Sequence, residues 1–284
     1  MDRKRFAVQS ASALLHNANL KGFFTGRIFT GASKGVCVPG LNCYSCPGAV
    51  GACPIGSLQS FLASRPVKLP YYVLGLLIFF GALLGRAVCG FLCPMGWLQE
   101  LIALVPVKKR DRFRLDRPLR KLKYVILALL VVLPLIFALT PFFCKYLCPA
   151  GTLAGIMLAI SDAALRPLFG GIFAWKAAVL AAVLAACLFI WRPFCKYLCP
   201  LGAIYGLFNR FALYRGEVDA DKCVRCGKCA EVCRMCVDPS TDVNSAECVR
   251  CGDCVRACPT KAIRMGFAPG RSKTPAPEKD AAEN

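Results

Sequence analysis

The chain has 284 residues, 57% of them hydrophobic, with mean hydropathy +0.53, 20 cysteines and a formal net charge of +20. That composition excludes an ordinary soluble domain and a small secreted disulfide scaffold, and points to a membrane protein that binds metal through thiols. The positive charge does not mark a nucleic-acid binder, because the cations lie between apolar stretches and not on one soluble basic face.

The N-terminus, residues 1–26, has the basic start of a signal peptide. Gln9, Ser10, Ser12, His16 and Asn17 break its apolar run, and no small-residue cleavage site follows, so a retained, weakly apolar helix is expected. His16 reads as a polar position on that helix and not as a ligand. Stronger apolar stretches run from Tyr71 to Leu84, Tyr124 to Thr140 and Phe173 to Trp191. A straight span needs about 20 apolar residues, so only the last is comfortably long. Tyr71, Tyr72, Tyr124, Trp175 and Trp191 at their margins suit a water–lipid interface.

These stretches belong to an internal repeat. A C-P-x-G core followed by an apolar run occurs four times, at Cys53, Cys93, Cys148 and Cys199. In the last three copies a second cysteine stands four residues earlier, giving the pairs Cys89 and Cys93, Cys144 and Cys148, and Cys195 and Cys199. In the first copy the partner of Cys53 is expected to be Cys46 or Cys43, Cys46 being the choice carried forward, with Cys37 a further candidate. Proline after the cysteine suits the first helical position, where its missing N–H would be an orphan in any case. The helix N-terminus then aims backbone N–H groups at the sulfurs, which favours a net negative, thiolate-ligated group. Two pairs supply the four thiolates of one [4Fe-4S] cluster, so the repeats predict two clusters whose pairing the spacing leaves open. Cys37, Cys43, Cys46 and Cys53 are a further possible set. Lys145 and Lys196, in the twice-repeated CKYLCP, are expected at an interface or facing such a cluster. Cys187, alone in an apolar run, reads as a packed small hydrophobe.

The loop from Pro106 to Lys123 carries nine cations, from Lys108 to Lys123, against Asp111 and Asp116. The positive-inside rule makes it cytoplasmic, and it reads as a solvated loop. Beyond it, Cys223 to Pro259 holds two copies of C-x2-C-x2-C-x3-C. In this spacing three cysteines of one run bind a cubane and the fourth binds its neighbour. The sets are therefore Cys223, Cys226, Cys229 and Cys258, and Cys248, Cys251, Cys254 and Cys233. The duplicated eight-cysteine pattern closed by Pro259 disfavours a structural zinc site. Arg234 replaces the usual proline of the first run, and Cys236 is an extra cysteine read as a bystander.

The expected fold is an α-helical membrane domain of repeated helix–cysteine loop–half-helix hairpins over residues 1–215. A small α+β two-[4Fe-4S] ferredoxin domain follows at 216–266, and a disordered tail at 267–284. From about Lys21 to Arg264, these motifs resemble the NapH/NosR-type membrane polyferredoxins, without the N-terminal flavin domain of the NosR type. The resemblance implies four [4Fe-4S] clusters in an electron-transfer subunit of the cytoplasmic membrane. Electrons would pass between a cytoplasmic donor or quinone and an extracytoplasmic flavin- or haem-binding partner. Quinol or copper-ion reduction is the alternative, and a cluster-bearing sensor or assembly factor a third. No dinucleotide-binding or P-loop glycine pattern is present, so NAD(P)H or ATP chemistry would need a partner.

Overall fold

Each C-P-x-G repeat opens a helix at its proline. The computed structural model, which describes residues 3–267 apart from 65, 67, 68, 112, 114, 138–140, 163–166, 168 and 169, shows these helices as Pro54–Ala63, Pro94–Ile102, Pro149–Ser161 and Pro200–Phe208. In all four, the cysteine is an extended N-cap and proline takes the first turn. The apolar stretches form the helices Tyr71–Leu84, Leu122–Phe137 and Gly171–Phe189; residues 138–140 lie outside the described part. Among the described residues only Gly171–Phe189 is long and apolar enough to cross a membrane, and 17% of its most apolar window is buried.

The repeats share one core. Ile55, Val88, Met95, Leu130, Phe143, Phe194, Leu201 and Tyr205 pack in it together with Cys53, Cys89, Cys93, Cys148, Cys195 and Cys199. The cysteine loops thus lie where the half-helices converge, and not on the protein's rim.

The N-terminal helix, Arg3–His16, packs on Pro94–Ile102 through polar contacts. Arg5 pairs with the buried Glu100 at 2.8 Å, Trp97 Nε1 donates to Ser10 Oγ at 2.9 Å, and Ser12 Oγ donates to the Leu92 carbonyl at 3.0 Å. Leu14 and Leu15 are left exposed, so this helix turns polar groups inward and leucines outward.

The ferredoxin part is framed by strands Tyr214–Val218 and Ile263–Phe267, antiparallel with Tyr214 opposite Phe267 and Val218 opposite Ile263. Both cysteine runs hang between them. Gly227 and Gly252, at φ +73° and +79°, turn each run into a one-turn helix, a backbone state that a side chain would resist. The expected tail falls almost wholly outside the described residues.

The basic loop corrects the sequence reading, since much of it is a clamp and not merely solvated. Lys109 Nζ donates to the Leu188 carbonyl at 2.7 Å and Arg110 N to that of Phe189 at 2.7 Å, closing the C-terminal end of the long helix. Asp111 accepts from Trp191 N at 2.6 Å, and Asp116 pairs with the buried Lys196 at 2.7 Å. Lys196 therefore faces this loop and not a cysteine set. Cys236 Sγ donates to the Asp111 carbonyl at 3.1 Å, which ties the ferredoxin to the same loop.

Candidate iron–sulfur sites

The local chemistry of each repeat follows from capping. An N-cap side chain accepts from the N–H near the third helical position. Here that residue is the glycine of C-P-x-G: Gly56, Gly96 and Gly151 turn their N–H groups toward the sulfurs of Cys53, Cys93 and Cys148 without closing a cap bond, and Gly202 N donates to Cys199 Sγ. At Cys199 the N···S distance is 3.4 Å. Leu41 N adds a donor to Cys93 Sγ at 3.4 Å, and Gln99 Nε2 one to Cys195 Sγ at 3.1 Å. Donors to sulfur stabilise the thiolate form that binds iron.

Tertiary packing pairs alternate repeats. Cys43, Cys53, Cys144 and Cys148 line one cavity of about 450 Å³, with Lys176 of the long helix in its wall. Cys89, Cys93, Cys195 and Cys199 lie within electrostatic reach of one another. The first repeat thus joins the third, and the second joins the fourth. Cys46, the sequence choice, does not line the first of these sites; Cys43 does. The turn from the Cys43 carbonyl to Cys46 N (3.1 Å) sends the Cys46 thiol toward Asn17 Oδ1, 3.7 Å away. Nor do Cys37, Cys43, Cys46 and Cys53 form one set, because Cys37 is turned to Ser57 Oγ at 3.5 Å. Cys187 is fully buried in the shared core.

In the ferredoxin part Cys223, Cys226, Cys229 and Cys258 line one small cavity. Cys254 lies within electrostatic reach of Cys248, Cys251 and Cys233, so the fourth cysteine of each run sits with the other run's three. Burial pushes the Cys251 thiol up to about 12, with Asp253 adding to it. At Cys258 burial acts the same way, but donors from Thr260, Ala262 and Ile263 outweigh it and hold the thiol below its ordinary value. Among the described residues no three His, Cys, Asp or Glu side chains are placed to share a single ion. A cubane does not require that, since each thiolate binds its own iron.

Buried polar atoms supply a test of fit. Arg5, Arg86, Arg192 and Arg250 each bury an Nε without a hydrogen-bond acceptor. Each also lies within electrostatic reach of a site cysteine: Arg5 of Cys251, Arg86 and Arg192 of Cys89, and Arg250 of Cys248. Orphan donors beside thiolates suit a group that is net negative and presents only acceptors, as sulfide does.

The four sets follow one another. Cys229 lies within reach of Cys254, joining the Cys223 set to the Cys248 set. A Cβ on Gly90 would stand 2.4 Å from the Val249 carbonyl oxygen, so the loop holding Cys89 and Cys93 abuts the one holding Cys248 and Cys251. Tyr205, fully buried, lies within reach of Cys89, Cys93, Cys199 and Cys53, between the two repeat sites, with its hydroxyl on the Pro39 carbonyl at 2.9 Å.

Sequence reading missed Arg86, Arg192, Lys176 and Glu247. A signal for the first two was present: Arg stands three residues before the first cysteine in the second and fourth repeats, where the third has Pro141. Lys176, one cation in a long apolar run, was another, being costly in hydrocarbon without an anionic neighbour.

Duplicated ferredoxin loops beside N-capped cysteine repeats define a ferredoxin-type iron–sulfur protein. Comparison agrees: one 4Fe-4S binding domain profile matches residues 69–112, 124–166 and 172–216, and a second matches 217–235 and 241–264. The chain is 32% identical over 188 residues to YccM of Escherichia coli, a protein named for electron transport, covering 62% of this chain and 50% of YccM. It is 36% identical over 188 residues to the methylamine utilization ferredoxin-type protein MauN of Paracoccus denitrificans, covering 62% of this chain and 58% of MauN. With the ferredoxin-type protein NapH of Escherichia coli the identity is 29% over 184 residues, covering 63% and 59%. The chain thus spans about half to three-fifths of these relatives' lengths. No solved structure matches it. The chain belongs to the polyferredoxin family of 4Fe-4S binding proteins.

Proposed function

We propose that the chain is a multi-pass electron-transfer subunit of the cytoplasmic membrane, with the ferredoxin part on the cytoplasmic side. The observation that carries this reading is the series of the four cysteine sets, from Cys223 through Cys248 and Cys89 to Cys43. Four [4Fe-4S] clusters held there would supply one-electron sites in a row. The protein's own residues close the gaps: Gly90 lets the ferredoxin loop approach, and Tyr205 fills the space between the repeat sites.

The long helix supports a transmembrane direction. Cys187 lies within reach of Cys195, and Lys176 lies within reach of Cys43 and Cys144. Eleven residues separate them on one helix, a rise of about 16 Å, which is roughly half of a hydrocarbon core about 30 Å thick. Exposed Phe79, Ile78, Ile136 and Trp175 suit contact with lipid. A flavin- or haem-binding partner at the Cys43 end and a soluble donor at the ferredoxin end complete the reading. In sealed vesicles, electrons given to the ferredoxin face should reduce an impermeant acceptor on the other side, and loss of that transfer in Cys148→Ser should accompany loss of the centre. Wild-type protein with all centres loaded and no transfer would refute the relay.

One observation favours a second reading, in which a quinone is the partner. An apolar cavity of about 260 Å³, lined by Leu14, Leu20, Phe23, Trp97, Leu153 and Met157, shares Cys43 and Asn42 with the site of the Cys43 set. A membrane quinone analogue reduced without transfer to the far side would select this reading.

A further inference from the structure

The second and fourth repeats are related by an exchange of arginines. Arg86 stands three residues before Cys89, and Arg192 three before Cys195. Arg86 Nη2 donates across to the Cys195 carbonyl at 3.0 Å, and Arg192 Nη1 donates back to that of Cys89 at 2.6 Å. Both residues are fully buried. The repeat glycines make room for them: a Cβ on Gly96 would lie 3.2 Å from Arg192 Nη1, and one on Gly202 3.4 Å from Arg86 Nη2.

Each arginine also belongs to a buried triad of two cations about one carboxylate. Arg192 and Arg5 share Glu100 at 3.0 and 2.8 Å. Arg86 and Lys123 share Glu247, at 2.8 Å for Arg86. Every triad cation has a side chain no more than 2% exposed, so water screens them little. Two cations and one carboxylate leave one net positive charge per triad, and the triads come from both repeats of the Cys89 set. At the Cys43 set the described cations are Lys176 in the cavity wall and the buried Lys34 within reach of Cys43, and neither sits in such a triad.

We propose that Arg86 and Arg192 set the reduction potential of the centre held by Cys89, Cys93, Cys195 and Cys199, raising it above the value it would have without them. Buried positive charge favours the electron-rich form of a cluster, and net charge and hydrogen bonding are among the means by which a protein sets cluster potential. The inference rests on the proposed occupancy of the Cys89 set. It gives the ferredoxin and the N-terminal helix a second role, since Glu247 and Arg5 are supplied by them.

The test is a redox titration of the full-length, anaerobically purified protein, followed by EPR. The Cys89 centre is assigned as the signal lost in Cys195→Ser, and the Cys43 centre as the one lost in Cys148→Ser. Arg86→Gln and Arg192→Gln should each shift the Cys89 centre to lower potential and leave the Cys43 centre in place, while Arg192→Lys should restore most of the shift. Glu100→Gln should move the same centre the other way, because it deletes the carboxylate and keeps both cations. A merely structural arginine gives no reason for opposite signs. If the arginine variants lose iron, Glu100→Gln decides alone, and a potential that stays put or falls overturns the proposal. Wild-type protein with no Cys195-dependent signal would instead remove the occupancy on which it rests.

Discussion

Gly90 stands directly against the Val249 carbonyl, at a distance that leaves no room for a side chain: a Cβ there would lie 2.4 Å from the oxygen. The third and fourth repeats have Lys145 and Lys196 at the equivalent position, after the first cysteine of the pair. Of these three repeats only the second has glycine there, where its backbone meets that of the ferredoxin loop. Gly90→Ala must therefore push two cysteine loops apart, at a cost of about 1–3 kcal/mol for overpacking a tight site. The expected outcome is a lower denaturation midpoint with full iron content, together with slower electron equilibration between ferredoxin and repeat centres after flash reduction. Unchanged rates would show that the Gly90–Val249 approach does not control this step.

Iron content distinguishes Cys43 from Cys46. Four cubane sites imply about 16 iron atoms per chain. Cys43 lines the cavity with Cys53, Cys144 and Cys148, whereas the Cys46 thiol turns to Asn17. Cys43→Ser should lower iron by about four atoms, and Cys46→Ser should leave it full. The reverse pattern, read by anaerobic iron and sulfide analysis, would reinstate Cys46 as the ligand.

Replacing Cys144 and Cys148 together should abolish the Cys43 centre alone. The proposed sets share no cysteine, so the ferredoxin signals and the Cys195-dependent signal should survive in EPR. Simultaneous loss of every signal would mean that this loop holds the fold together and has no separate ligand role.

Asp116 offers a test of the clamp between the basic loop and the fourth repeat. Its carboxylate accepts from Tyr197 Oη at 2.6 Å and pairs with the buried Lys196 at 2.7 Å and with Arg120. Burial raises the Asp116 pKa, but the Lys196, Tyr197 and Arg120 contacts hold it below the usual carboxylate range. A depressed folded value means that this stabilisation is complete above the unfolded value of about 3.9 and is lost as pH falls through the folded value. At neutral pH Asp116→Asn strands Lys196 without its carboxylate, and the expected loss is about 3–5 kcal/mol. Denaturation in detergent checks this, and a shift under about 1 kcal/mol would place the pair among solvent-screened bridges.

Much of the chemistry was legible in the chain because it is local. Three cysteines with two residues between each can reach one cube through a single turn, so the spacing from Cys223 to Cys258 was enough to propose the ferredoxin sets. A cysteine before proline sits at the N-cap of its helix in every repeat, with the glycine three residues on turned toward it, and Gly202 closes that bond to Cys199. The apolar runs named their helices for the same reason, since hydropathy acts residue by residue.

Tertiary structure decided what depends on loops far apart in the chain. Which repeats share a site follows from how the half-helices converge on one core, and no spacing records that Cys53 meets Cys144 while Cys89 meets Cys195. That Cys43 and not Cys46 lines the cavity turns on one tight turn and an acceptor just past the N-terminal helix, Asn17. The basic loop looked solvated because positive charge between apolar runs is usually repelled into water. Within the loop Lys109 instead found a carbonyl and Asp116 a buried lysine, Lys196, brought to them by other segments, and only a folded chain presents those partners.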